Sequence, residues 1–170
     1  MAEERPQRRL AAILAADVVG YSRLMQADEV GTLAALRDVW RERFNPVVAA
    51  HRGRIVKMMG DGALIEFASA VDAVECSVVF QKAMADHKSA WPEREPIEFR
   101  IGVNLGDVVV DGDDIFGDGV NVAARLEGQA PKSDVLVSDA VHAQIKGKIS
   151  VAFMDAGELT LKNIDSPVRV

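Results

Sequence analysis

The sequence predicts an α+β fold in which an antiparallel sheet carries helices on one face. Three observations predict it. An apolar run of strand length, "RRLAAILAADVV", precedes a stretch with three- and four-residue apolar spacing; "RIVKMMGDGALIEF" alternates around a Gly-Asp pair; and a second helical stretch leads into the long strand pattern "IEFRIGVNLGDVVV". The order β-α-β-β-α-β is that of a split βαβ, ferredoxin-like core.

Residues 1–8 are expected to be a flexible N-terminal segment, with one domain over 9–170. The first strand takes residues 9 to 17 and ends at Asp17, after which Gly20 loosens the backbone before Ser22. From Asp28, a plausible N-cap, Leu33, Leu36, Trp40, Phe44, Val47 and Val48 recur on one helical face, bent at Pro46. Strands 54–59 and 62–67 pair through Gly60-Asp61, because a two-residue Gly-Asp loop matches the twist of a hairpin. Ser69 and Asp72 resemble a capping box for a second helix that ends near Lys88, with Val71, Val74, Val78, Phe80 and Met84 facing inward. Beyond the fourth strand lie a Gly/Asp-rich loop (111–119), a helix (119–129), the short strand "VLVS", a helix (139–146) and a closing strand pair, a C-terminal αβαββ extension. The second sheet face needs a cover, and another copy of the chain is one candidate.

Composition narrows the function. A chain of 170 residues with 49% hydrophobic residues builds one core, and no apolar run reaches the roughly 20 residues of a membrane span, so no direct membrane insertion is expected. The net charge of −6 is spread along the chain and gives no footprint for nucleic acid. The single Cys76, in an apolar helical stretch, reads as a small buried hydrophobe and suits a reducing, cytoplasmic setting. The opening residues lack a secretory signal pattern, and the apolar alternation at the end implies that a longer parent chain, with room for a regulatory domain, continues past Val170.

Asp17 ends the first strand and Asp61 occupies the hairpin turn. If the two strands are neighbours, both carboxylates enter one crevice, and two like charges there call for a cation. Hard divalent ions take carboxylate and phosphate oxygens, and a two-metal site can clamp both ends of a phosphoryl displacement. Between the two, "DVVGYS" passes from strand to helix start, where backbone N–H groups of Val19, Gly20, Tyr21 and Ser22 can cradle phosphates. It is neither a P-loop nor a dinucleotide fingerprint.

Together, Asp17 in "DVVGYS", the "KMMGD" hairpin and "DIFGDGVNVAARLE" resemble the catalytic domain of class III nucleotidyl cyclases, in particular bacterial adenylate cyclases, over nearly the whole chain. The resemblance implies a head-to-tail homodimer with complementary residues from both partners at each site. It implies that Asp17 and Asp61 hold two divalent cations, Mg²⁺ or Mn²⁺, with Ca²⁺ as a substitute in crystals. Lys57 and Asp114 match the pair that reads adenine: an ammonium donates to ring N1 and a carboxylate accepts from the exocyclic amine, whereas guanine presents the opposite pattern. Asn121 matches the residue that orients the ribose, and Arg125, one helical turn on, matches the arginine that stabilises the transition-state phosphate. Lys162 in "LKNI" matches a lysine that contacts the leaving pyrophosphate. The implied reaction is conversion of ATP to 3′,5′-cyclic AMP and pyrophosphate.

Two alternatives stand beside it. One is a nucleotide-binding regulatory domain without catalysis. The other is a diguanylate-forming domain, whose Gly-Gly-acidic-acidic-Phe hairpin is absent from "MGDGA". A further feature is the short, wholly acidic loop "VVVDGDDIFGD", without the basic residue some cyclases carry there. The seven-residue gap to Asn121 selects Asp114 over the adjoining Asp113. His51, His87 and His142 read as surface or helix-end residues, and Trp40 and Trp91 as packing.

Overall fold

The structure, a computed structural model, describes residues 7–88, 96–149, 158–159 and 168–169. Strand β1 (Gln7–Val18) begins two residues earlier than the sequence implies, because the long β4 (Phe99–Asp111) offers partners that far: Gln7 and Arg8 stand opposite Val110 and Val109. Residues 7 and 8 thus belong to the sheet and not to a flexible segment. Helix α1 (Tyr21–Ala27) leads to α2 (Glu29–Val39), capped by Asp28, whose carboxylate accepts from the Gly31 N–H at 3.0 Å.

The bend expected at Pro46 takes the form of a widened π turn, Trp40–Phe44, before α3 (Asn45–Ala50). There the Asn45 N–H reaches back five residues to the Trp40 carbonyl, a local widening that accommodates a residue with no N–H of its own. Leu33 does not join the core. It is 39% exposed, and the inner face of α2 is Thr32, Ala35, Leu36 and Val39; Leu36 stands at the edge of that face, and Leu33 lies beyond the edge, on the side away from Ala35 and Val39.

Strands β2 (Arg54–Met59) and β3 (Gly62–Phe67) form the expected hairpin around Gly60, whose φ of 54° suits the turn. Helix α4 (Ala70–Lys88) begins with the Asp72 N–H donating to Ser69 Oγ at 3.3 Å. Cys76 is fully buried there, and burial pushes its thiol up to about 12, so it is inert packing. The segment read as a loop over 111–119 instead contains β5 (Asp114–Phe116). Gly112-Asp113 repeats the two-residue Gly-Asp turn, with Asp111 opposite Asp114 and φ of 59° at Gly112. Helix α5 (Asp118–Gln129), β6 (Val135–Val137), α6 (Asp139–Ile145) and the antiparallel pair β7 (Glu158–Leu159) and β8 (Val168–Arg169) complete the extension.

The sheet runs β2-β3-β1-β4-β5, all antiparallel, with β6 joining β4 in parallel. On one face Ala12, Leu14, Ala16 and Val18 of β1 meet the α2, α3 and α4 side chains, where Trp40, Phe44, Phe80 and Phe99 pack edge to face at 4.9 to 5.2 Å between centroids. The core helices therefore lie on one face as expected. The opposite face is not left to a second copy alone, because α5 of the extension covers Ala11, Ile13, Ala15, Leu64 and Val108. Burial on both faces explains why β1 reads as an unbroken apolar run. Gly102 makes that cover possible: a Cβ there would lie 2.3 Å from the Glu127 backbone N and 2.6 Å from the Ala123 carbonyl, so the α5 backbone rests directly on β4. Among the described residues no helix is long and apolar enough to cross a membrane.

Candidate active site

β1 and β3 are neighbours, which is the condition set for Asp17 and Asp61 to share a crevice. Asp17 stands opposite Gly62 on one side and Arg100 on the other, while the Val18 N–H donates to the Asp61 carbonyl at 2.8 Å and pins the hairpin turn to the strand end. Asp17 Oδ1 is buried without a hydrogen-bond partner among the described residues, which fits an oxygen reserved for a cation. No group of three or more metal-ligating side chains occurs among the described residues. Two carboxylates completed by substrate oxygens are the arrangement Mg²⁺ accepts.

Sequence reasoning missed two residues of this crevice. Arg100, the one cation of β4, lies beside Asp17 and donates Nη1 to the Gly128 carbonyl at 3.4 Å. Glu127, two residues past Arg125, comes down from α5 against Asp17. Burial, then the hydrogen bond and charge of Asp17, push its carboxyl up to about 9, against the pull of Arg100. Glu127 Oε1 and Asp17 Oδ1 both lack a donor; two ionised carboxylates cannot bond to each other, so where no cation sits on Asp17 a proton on Glu127 resolves the contact.

The sign of the resulting pH dependence follows. Between the ordinary glutamate value of 4.5 and about 9 the folded chain holds a proton that the unfolded chain has lost, so stability falls as pH rises through that window. In chelator-treated protein the thermal midpoint is expected to drop between about pH 5 and 9, by several degrees. Glu127→Gln should flatten the profile in differential scanning calorimetry; an unchanged slope in that variant would assign it elsewhere.

Lys57 and Asp114 are also brought together, at 3.2 Å from Nζ to Oδ1, with the Lys57 ammonium 5.6 Å from the centre of the Phe116 ring. A β-bulge achieves this. Between Ile55 and Lys57 the register on β3 slips, so that Lys57 stands opposite Leu64, and the extra residue Val56 turns the lysine toward the α5 side of the sheet. Asp114 accepts from the Ile115 N–H at 2.8 Å, and this bond, with help from Lys57, holds its carboxyl below the usual aspartate value. The backbone carbonyl of Asp113 accepts from Arg54 Nη1 at 3.0 Å. Both members of the ion pair are over a third exposed, so solvent screens the pair and it opens easily for a ligand.

Asn121 and Arg125 lie exposed on α5, while Ala123 and Leu126 face inward. No hydrogen bond or ion pair among the described residues links them to the Asp17 or Lys57 groups. The turn into α1 passes through Gly20 at φ 64°, and Tyr21 and Ser22 open the helix. The Val19 N–H is already used by the Glu98 carbonyl at 2.8 Å, which removes it from a phosphate cradle. Lys162 and Trp91 lie outside the described residues.

Residues 4–168 match the family model described as the adenylate and guanylate cyclase catalytic domain. The chain is 51% identical over its full length to a putative adenylate cyclase 3 of Rhizobium meliloti (strain 1021), of which it spans 29%. It is 38% identical over 84% of its length to an adenylate cyclase of Streptomyces coelicolor, of which it spans 36%. The chain thus covers well under half of these curated relatives. Its fold superposes with a TM-score of 0.91 on an adenylate/guanylate cyclase/hydrolase from Silicibacter pomeroyi, 44% identical, with 97% of this chain and 96% of that one covered. With the fold superposing closely and the family match running nearly end to end, the chain belongs to the class III nucleotidyl cyclase catalytic domains.

Proposed function

We propose that the protein is an adenylate cyclase, converting ATP to 3′,5′-cyclic AMP and pyrophosphate at sites shared by a head-to-tail homodimer. The observation that carries the base assignment is the Lys57–Asp114 pair, a donor and an acceptor 3.2 Å apart beside an aromatic ring. Adenine offers an N1 acceptor and an N6 amine to such a pair, while guanine offers N1–H and O6 in the reverse sense. The names of the Rhizobium and Streptomyces relatives favour the same product.

In this reading the ribose 3′-oxygen attacks the α-phosphorus in line, a 3′-O–P bond forms, the bond to the β-phosphate oxygen breaks, and the hydroxyl proton leaves to solvent. Asp17 and Asp61 would hold two divalent cations, Mg²⁺ or Mn²⁺, which when bound supply charge neutralisation and a lowered 3′-hydroxyl pKa. Asn121 orients the ribose, and the Arg125 guanidinium offers donors to the charge that builds on the phosphoryl oxygens. Gly20, Tyr21 and Ser22 face the triphosphate, with Lys162 toward the pyrophosphate.

That no hydrogen bond or ion pair among the described residues joins Asn121 and Arg125 to the other two groups, and that both are exposed on α5, favours a second subunit closing over the nucleotide. On that arrangement Lys57 and Asp61, four residues apart, serve different sites. The spans of the relatives make a regulatory domain in a longer cytoplasmic parent chain part of the proposal.

Incubation with ATP or GTP and Mg²⁺ or Mn²⁺, followed by chromatography of the products, tests it. Cyclic AMP and pyrophosphate in equal amounts are expected from ATP, rising faster than linearly with protein at low concentration. Cyclic GMP alone would remove the base reading, and no cyclic product at any protein concentration would remove the enzyme.

A further inference from the structure

We propose that Arg54, held rigid by Glu66, positions the base-reading pair by tying the β4–β5 turn that carries Asp114 to the strand that carries Lys57. The proposal rests on the reading of Lys57 and Asp114 given above. β2 and β5 occupy opposite ends of the sheet order and share no ladder; they meet only where the sheet coils over its α5 side. Among the described residues their direct side-chain links are the half-exposed Lys57–Asp114 pair and the Lys57 ammonium over the Phe116 ring, both made by the one mobile lysine side chain and too weak to fix its geometry.

Arg54 supplies the missing tie. Its Nε and Nη2 donate to Glu66 Oε1 at 3.2 and 3.1 Å, and its Nη1 donates to the Asp113 carbonyl at 3.0 Å, one residue before Asp114. Glu66 is anchored in turn. It lies on β3 directly opposite Arg54, its side chain only 10% exposed, and Arg9 of β1 grips it through Nε at 2.9 Å and Nη2 at 2.6 Å. Burial alone would raise the Glu66 pKa; the hydrogen bonds of Arg9 and Arg54 overcome this and hold it below the usual value, so the anchor stays charged at neutral pH. Because a guanidinium is planar, fixing two of its N–H groups on Glu66 fixes where the third points. Three strands thus fix one turn. A lysine at position 54 could satisfy Glu66 or the carbonyl, not both.

The test compares Arg54→Ala and Arg54→Lys with Lys57→Ala and Asp114→Ala, all in steady-state kinetics with ATP and with GTP, alongside thermal unfolding. Both Arg54 variants are expected to raise KM for ATP about tenfold and narrow the ATP over GTP preference, with kcat within about threefold. A merely structural role would lower the thermal midpoint without moving the nucleotide preference. If the Lys57 and Asp114 variants lose preference while both Arg54 variants keep KM and preference unchanged, the positioning role is overturned and the base reading stands. If the Lys57 and Asp114 variants also keep their preference, the base reading falls and the Arg54 role with it. Should Arg54→Ala fail to fold, Arg54→Lys carries the comparison.

Discussion

Arg125→Ala is expected to fold normally and lose at least about a hundredfold in cyclase turnover, the usual cost of removing a donor aimed at transition-state charge. Its side chain is exposed on α5, so truncation leaves no cavity and no buried partner, and the loss cannot be charged to stability. Asp17→Ala should be equally inactive through loss of a cation ligand. If each site takes Asp17 from one subunit and Arg125 from the other, an equimolar mixture forms heterodimers with one intact and one doubly damaged site. Random pairing makes half of the dimers mixed, so about a quarter of the native activity should return. Mixed dimers proven by mass spectrometry that remain inactive would contradict shared sites.

Gly102→Ala is expected to damage catalysis far more than stability. The added methyl would sit 2.3 Å from a backbone nitrogen of α5, and backbone cannot step aside as a flexible side chain can. The helix must lift or tilt, at a cost of about 1 to 3 kcal/mol, typical of overpacking. The same displacement moves Asn121, Arg125 and Glu127, all on α5, relative to Asp17 on β1. Misplacement of this kind commonly costs about a hundredfold in rate. Urea unfolding and initial rates on one preparation separate the two effects; a rate that falls only as far as the folded fraction falls would show that α5 carries no reacting group.

The local features were legible because local physics dictates them. Ser69, Asp28 and the Gly60-Asp61 turn announce themselves through groups that satisfy nearby backbone donors or accept a positive φ. β5 was missed although Gly112-Asp113 carries the same turn signal, because its three residues are too short for alternation to register. Leu33 was misassigned because a row of apolar spacing does not say which of two adjacent helix faces the core selects.

By itself the sequence determined the βαββαβ order and the family. Tertiary structure alone decided how the side chains meet. The bulge at Val56 chooses the face on which Lys57 emerges, and the coiling of the sheet brings it to a residue 57 positions away. Gly102 lets α5 close on the second face and deliver Glu127 to Asp17, and Arg100 reaches that crevice through strand register. These placements depend on contacts between segments distant in the chain, and a linear pattern encodes what each segment prefers, not the point in space where two of them arrive.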